Sequence, residues 1–368
     1  MQKDSTTNKT IQRPSAEVLF QEELAKLKAQ DKTAAPPGWQ LSPLMVEKFV
    51  LGCPELNIER KLVAPQELVT RIIIAMATNQ GVMLIGEPGT AKSWLSELLS
   101  TAISGDSSLT VQGGAISHYQ QLLYDWNPVL SQTLGPCRES LIPGPVFRAM
   151  ESGQLLRFEE LSRCPQIVQD ALLSILSERK IHIPELSGDD SVVYAREGFN
   201  LIATSNSLDR GLFDMSAALK RRLNFETIPP IAKIEDELDI VQREAKKLTR
   251  QSGIDIELDT QTTEMLVTIF HELRNGQTVS GRSTDRLAAA VMSTAEAVAV
   301  AHALCVYAFY YREGKIEKRD LLNFLVGASI KDNPQDRRRV LHYFDTEVAT
   351  KPGKHWQELY QHRKVLVE

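Results

Sequence analysis

Cysteine is scarce in this 368-residue chain. The four present, Cys53, Cys137, Cys164 and Cys305, stand at neither metal-ligand nor disulfide-framework spacing. That excludes a cysteine zinc cluster and a disulfide-stapled secreted fold, and implies reduced thiols in a reducing compartment. Aromatic residues make up only 6% of the chain. No apolar run approaches the ~20 residues that a membrane-crossing helix needs. The longest candidate, Ala295 to Tyr311, carries Glu296 and His302 and reads as a buried helix. The N-terminus is polar, without a hydrophobic signal region. Positive charge is not in excess either: 42 Lys and Arg face 47 Asp and Glu, a net charge of −5. The chain therefore lacks the electrostatic footprint of a nucleic-acid binder. These absences make the cytoplasm the expected location, with no membrane contact and nucleic acid an unlikely partner. There is also no internal repeat.

What is present is ordinary globular composition, 42% hydrophobic and 24% charged, in a length that suits two or three domains. Residues 1 to about 14 are polar and expected to be disordered. A helix with Leu19, Phe20, Leu24 and Leu27 on its stripe follows, ended by Ala34-Ala-Pro-Pro-Gly38, and a second helix starts at Ser42-Pro43. Residues 1–60 thus read as an N-terminal arm. From 61 to 230, strand-like and helix-like segments alternate. Helical periodicity covers Glu67 to Thr78; Val82 to Ile85 and Leu109 to Val111 read as strands; a mixed stretch runs from Ser117 to Pro145. Val146 to Met150 is helical, Gln154 to Phe158 a strand, Val168 to Leu176 a helix, and Phe199 to Ala203 a buried strand. Ile181 to Ile183 and Val192 to Tyr194, separated by Ser187-Gly-Asp-Asp190, predict a hairpin. Such alternation predicts an α/β domain with a parallel sheet covered on both faces. Pro229-Pro230 marks a boundary, beyond which 231–332 is nearly all helical, over 233–250, 260–274, 285–312 (with a break near Met292) and 317–330. Residues 333–368 read as a charged tail.

One stretch carries chemistry. Gly86-Glu-Pro-Gly-Thr-Ala-Lys-Ser93 follows an apolar strand and precedes a helix marked by Trp94, Leu95, Leu98, Leu99 and Ala102. Strand, glycine-bearing loop and helix form the context in which backbone N–H groups and a helix N-terminus receive phosphate. Ala91 stands where the strict pattern has its second glycine. Lys92 would reach the β- and γ-phosphates of a nucleotide, and the Ser93 hydroxyl would ligate Mg²⁺. The competing bland reading is a surface Gly/Pro turn followed by a chance Lys-Ser. A phosphate loop needs an acidic partner, and Leu155-Leu-Arg-Phe-Glu-Glu160, an apolar strand ending in two carboxylates, supplies one. Glu159 suits the metal side and Glu160 the general base that activates water. By itself such a pair could equally be a solvated strand end.

Together these residues resemble the AAA+ ATPases, and within them the MoxR group, over roughly residues 60 to 330. The Gly86–Ser93 stretch is similar to Walker A, with Gly86, Glu87, Pro88, Gly89, Thr90, Ala91, Lys92, Ser93 and Trp94 as its nucleotide-binding positions. Pro143-Gly-Pro-Val-Phe-Arg-Ala-Met150 is similar to the segment that precedes Walker B in MoxR proteins, and Glu159-Glu-Leu-Ser-Arg163 to Walker B itself. Gln169 to Glu178 resembles the helix after it, Leu201-Ile-Ala-Thr-Ser-Asn206 the sensor 1 strand, and Ala218-Leu-Lys-Arg-Arg-Leu223 the arginine-finger segment. The resemblance implies an AAA+ core followed by an all-α lid, with ATP and Mg²⁺ as cofactors. It implies that Asn206 orients the lytic water, and that Arg222, with Arg221 assisting, acts on a neighbouring subunit's γ-phosphate. A finger acting in trans implies a homo-hexameric ring.

The chain departs from the family pattern at three places. Glu159 replaces the usual Asp of Walker B, one methylene longer beside a metal that demands near-ideal geometry. Ala91 replaces a glycine. The lid arginine of sensor 2 has two alignments: Ser283-Thr-Asp-Arg286, or Met292-Ser-Thr-Ala295, in which the arginine is absent and which has the better spacing. Tyr124 and Trp126 fall where the family inserts a segment facing the ring pore; buried core aromatics are the simpler reading. MoxR proteins are chaperone-like and often act with a protein carrying a von Willebrand factor A domain. No Asp-x-Ser-x-Ser metal motif occurs in this sequence, so that partner must be a separate chain, docked on 1–60 or 333–368. The function implied is ATP hydrolysis coupled to remodelling or maturation of a partner protein. The alternative is a nucleotide-gated assembly or regulatory protein that binds ATP with little hydrolysis. A nucleic-acid-directed motor is a third reading, disfavoured by the acidic net charge.

Overall fold

The computed structural model describes residues 12–78, 80–207, 215–287, 291–331 and 333–366. The chain divides into two compact units, one covering Met1–Gly86 and Ala91–Ile228, the other Glu87–Thr90 and Pro229–Glu368. Residues 1–11, expected to be disordered, lie outside the described residues.

The first unit begins with α1 (Ala16–Leu19), α2 (Gln21–Gln30) and α3 (Pro43–Leu51). α3 shows how locally the sequence sets its ends. The Ser42 hydroxyl accepts from the Met45 N–H, Pro43 occupies the first turn where no N–H is needed, and Gly52 takes φ 85° just past the end. The 12–60 region is part of the unit's core, with Leu27, Leu41, Val46 and Phe49 buried together with the helices beyond it. Lys61 lies over the rings of Phe20 and Phe49 and pairs with Glu23. Next come α4 (Gln66–Met76), β1 (Gly81–Gly86), α5 (Lys92–Ser104) and β2 (Thr110–Gln112). A two-stranded ribbon, β3 (Tyr124–Trp126) with β4 (Leu141–Pro143), flanks α6 (Pro128–Leu134). Then follow α7 (Pro145–Ser152), β5 (Leu155–Glu159), α8 (Gln166–Glu178), the hairpin β6 (Lys180–His182) and β7 (Val192–Tyr194), β8 (Asn200–Asn206), α9 (Ala217–Lys220) and β9 (Leu223–Thr227).

Five strands form one sheet in the order β2-β5-β8-β1-β9, and each neighbouring pair is parallel. Its central strands are apolar runs because both faces are covered. Val82 and Leu84 pack with α3, α4 and α5, whereas Met83, Leu156 and Phe158 pack with α7 and α8. The register sets Gly86 beside Asn206, and Gln112 beside Glu159. The loop start, the paired carboxylates and the tip of β8 thereby meet at the carboxyl edge of the sheet, where parallel α/β sheets bind their ligands. Tyr124 and Trp126 are not core residues. Both are half-buried on the ribbon, in an edge contact with rings 5.9 Å apart, and the Tyr124 hydroxyl donates to Glu185 at 3.1 Å. Both pack against the edge of the buried cluster that holds α7 and α8 without being enclosed by it.

The second unit is helical: α10 (Ile234–Gln251), α11 (Thr260–Asn275), α12 (Thr294–Tyr311), α13 (Lys318–Ser329), α14 (Pro334–Thr346) and α15 (Lys354–Gln361). Two expectations are corrected here. Over 285–312 the break expected near Met292 is present, but 285–287, expected to be helical, is not, and α12 starts at Thr294. Ser293 and Glu296 form a capping box and Met292 takes φ 54°, which a continuous helix cannot contain. The expected charged tail, 333–368, instead forms α14 and α15. Val340, Tyr343, Phe344, Trp356 and Leu359 are buried in the same core as α10 to α13. A buried Glu237 anchors the unit. Its burial opposes ionisation, but hydrogen bonds from Arg274, His271 and Thr294 and the Arg274 charge prevail, holding it at about 2.

The Phe344 ring is fully buried, so Phe344→Ala should destabilise the helical unit by about 3–5 kcal/mol in denaturant melts. A loss under about 0.5 kcal/mol, the surface value, would mean that the segment from 333 behaves as a tail after all.

Candidate nucleotide site

Gly86 ends β1, and the chain turns before α5. Thr90 closes the turn, its N–H and hydroxyl donating to the Glu87 carbonyl at 3.4 and 2.9 Å. Gly89 takes φ 79° and Ala91 takes φ 63°, ψ 25°. The second explains the family's preference at this position: the loop needs a left-handed residue immediately before the helix, and glycine adopts that conformation without a Cβ clash. Ala91 adopts it under strain. α5 then starts at Lys92, and the opening turn of a helix is where backbone N–H groups can receive an anion.

Lys92 is 6% exposed, and its ammonium donates to the Gly86 carbonyl at 3.1 Å. That same carbonyl accepts the Ser207 N–H at 3.0 Å, tying the loop to the tip of β8. The Ser93 hydroxyl donates to Glu159 Oε2 at 2.6 Å. The Glu159 carboxylate receives three further side chains: Thr204 Oγ1 on Oε2 at 2.7 Å, and Ser96 Oγ and Arg157 Nη2 on Oε1 at 2.6 and 3.1 Å. Burial opposes its ionisation, yet these bonds and the Arg157 charge outweigh it and hold the carboxyl below the usual glutamate range. Glu159 is therefore an anion at neutral pH bonded to the Ser93 hydroxyl, a pair of oxygen ligands that suits a hard divalent cation. Mg²⁺ fits these residues: Ser93 and Glu159 would hold it, and it would neutralise phosphate charge.

Glu160 follows in the left-handed region, φ 56°. Its N–H donates to Thr204 Oγ1 at 3.1 Å, so one hydroxyl holds both carboxylate residues in place. A side chain at Gly113 would come within 2.3 Å of the Glu160 carbonyl, so only glycine lets that backbone pass. Strain of this kind, on the order of 1–3 kcal/mol, persists where surrounding contacts over-determine the conformation. The Glu160 carboxylate is 38% exposed and pairs with Arg163 Nε at 3.2 Å. Asn206 is half-buried at the end of β8.

The structure thus brings together Gly86, Lys92, Ser93 and Glu159 with the backbone of Glu160 and the tip of β8. Three expected residues stand elsewhere. Trp94 turns toward the N-terminal helices, its indole N–H donating to the Lys61 carbonyl at 3.2 Å and its ring 6.1 Å from Phe20. Arg221 is exposed after α9. Arg222 bonds the Ser177 hydroxyl of α8 and the Ala218 carbonyl, the latter at 2.7 Å. In the second unit, to which Glu87–Thr90 belong, Arg286 pairs with Glu87 at 2.8 Å. Ser293, with Thr294 and Ala295 after it, opens α12. Ser96, Arg157 and Thr204 were not singled out from the sequence. The available signal was Arg157 itself, a charge inside an otherwise apolar strand.

Ala91→Gly should relieve the left-handed strain and raise the melting free energy by about 1 kcal/mol, read by thermal or urea unfolding. A decrease would show that the alanine side chain contributes packing that outweighs the strain.

Comparison with known proteins agrees with this geometry. Residues 81–223 match the AAA domain of the dynein-related subfamily, and residues 235–367 match the YehL-like AAA+ ATPase C-terminal domain. YehL of Escherichia coli (strain K12) is 48% identical over 98% of this chain and 99% of its own length. The gas vesicle ATPase GvpN of Haloferax mediterranei is 26% identical, the match covering 62% of this chain and 65% of GvpN. The solved structure of NtrX from Brucella abortus in complex with ATP shares the fold, with a TM-score of 0.50 at 15% identity over 84% of this chain and 69% of that one. No helix among the described residues is long and apolar enough to cross a membrane. With Lys92 and Ser93 of a Walker-type motif opening α5, Ser93 bonded to the carboxylate that ends β5, and a helical C-terminal unit, the chain belongs to the family of YehL-like AAA+ ATPases.

Proposed function

We propose that this chain is a Mg²⁺-dependent ATP hydrolase of the MoxR type that uses turnover to remodel or mature a partner protein. The observation that carries the reading is the 2.6 Å bond between the Ser93 hydroxyl and the Glu159 carboxylate, formed beside Lys92. In P-loop enzymes that hydroxyl and that carboxylate share the metal. Lys92 would neutralise the β- and γ-phosphates. Asn206 and Glu160 would hold the attacking water between them, with Glu160 taking its proton. Arg222, with Arg221 assisting, would act on a neighbouring subunit of a homo-hexameric ring, and the exposure of Arg221 supports that reading. The partner in view is a separate protein carrying a von Willebrand factor A domain, in the cytoplasm.

A second reading, a nucleotide-gated assembly protein with little turnover, is favoured by one observation. The Glu160 carboxylate is engaged through Oε2 by Arg163, so part of it is committed to an ion pair within its own segment.

Purified protein given ATP and Mg²⁺ should release phosphate. Glu160→Gln should cut turnover by at least about 100-fold while nucleotide is retained, and Lys92→Ala should lose nucleotide binding in calorimetry. Equal turnover in Glu160→Gln removes the base assignment. Tight binding with negligible wild-type turnover selects the gated reading, and unchanged affinity in Lys92→Ala removes the phosphate loop.

A further inference from the structure

A charged residue in a central parallel strand is unusual, because burying a guanidinium costs several kcal/mol unless partners repay it. Arg157 sits in β5, 8% exposed, with a neighbouring strand on each side. Every nitrogen of its fork is used. Nε donates to Ser96 Oγ at 3.1 Å, Nη1 to the Ser107 carbonyl at 3.1 Å, and Nη2 to both the Ser93 carbonyl and Glu159 Oε1 at 3.1 Å. Glu97 lies 3.9 Å from Nη2 and itself receives Arg13. One side chain therefore joins the first turn of α5, the segment before β2 and the carboxylate that ends β5.

The arrangement bears on the extra methylene of Glu159. A glutamate at this position has more reach and one more rotatable bond than an aspartate, and left alone could present its oxygens in several ways. Here the two oxygens are sorted. Oε1 is taken by Ser96 and Arg157, while Oε2 is turned to Ser93 and Thr204. Arg157 also holds the Ser93 carbonyl, so it fixes both members of the Ser93–Glu159 pair from behind.

We propose that Arg157, together with Ser96, is a positioning residue that clips one oxygen of Glu159 and so presents the other, with the Ser93 hydroxyl, to the divalent cation of a bound nucleotide. The inference rests on the site assigned above and concerns how this chain accommodates a glutamate there. Arg157 touches neither nucleotide nor metal; it acts through Glu159 and Ser93. Partners of this kind behind a metal-side residue typically change metal affinity by about 10- to 100-fold when removed.

The test reads metal-dependent binding rather than turnover. Affinity for a non-hydrolysable ATP analogue is measured by calorimetry with Mg²⁺ and again with EDTA, in wild type, Arg157→Met and the milder Ser96→Ala. Both variants should lose about tenfold or more of the Mg²⁺ enhancement while their affinity in EDTA stays at the wild-type value. In a Glu159→Asp background the Arg157→Met loss should largely vanish, because the shorter carboxylate no longer reaches the clip. Unchanged Mg²⁺ enhancement in both variants, an equal fall with and without Mg²⁺, or additive losses in the Glu159→Asp background would each overturn the inference. Melting curves establish that the variants fold, and Ser96→Ala decides the question should Arg157→Met not fold. Wild type that binds with Mg²⁺ yet releases no phosphate contradicts the hydrolysis reading and leaves this test intact. Wild type that binds no nucleotide in either condition overturns both.

Discussion

The convergence of four donors on the Glu159 carboxylate is the constraint on which the site depends. A buried carboxylate is costly in a low-dielectric interior unless its lone pairs are satisfied. Here satisfaction also sets position. Ser93 and Ser96 come from α5, Thr204 from β8 and Arg157 from the same strand as Glu159. One carboxylate thus registers the helix after the phosphate loop against two strands of the sheet. The anion is kept charged at neutral pH by the same bonds that hold it still.

Two of the residues in the left-handed region fall around this point. Ala91 and Glu160 both occupy the left-handed region, one before α5 and one after β5. At Ala91 the geometry is dictated by the loop, which must deliver Lys92 and Ser93 into the first helical turn. At Glu160 it is held by the Thr204 hydroxyl and by the glycine at 113 that admits its carbonyl. Strain at both ends of the ladder, with an extended network between them, is the pattern of a site whose geometry is imposed by its surroundings.

The loop and the sheet were legible because their signals are local. An apolar strand, Gly89, Lys92-Ser93 and a helical stripe lie within one short window, and a run such as Leu155 to Phe158 is what a strand covered on both faces must be. Ser96, Arg157 and Thr204 were not legible because their meaning is a contact between segments far apart in sequence. The direction of the Trp94 side chain was not legible for a related reason. Helical periodicity sets it on α5, but the face it occupies is decided by Lys61 and Phe20 of the N-terminal region. The segment from 333 hid its core residues among Arg337, Arg338, Arg339 and Asp336, so that composition read as a tail while the spacing of Val340, Tyr343 and Phe344 suited a packed helix. Within 285–312 the break was carried by Ser293 and Glu296, a capping box in the middle of an otherwise helical pattern.

The central claim is that Ser93 and Glu159 form the metal side of a nucleotide site beside Lys92. A crystal structure of the protein with Mg²⁺ and a non-hydrolysable ATP analogue tests it most directly. The account predicts the triphosphate along the 86–93 loop, Lys92 on the β- and γ-phosphates, and the Ser93 hydroxyl turned from Glu159 to the metal. Nucleotide bound away from that loop, or a metal held by other residues while Ser93 keeps its bond to Glu159, would contradict it.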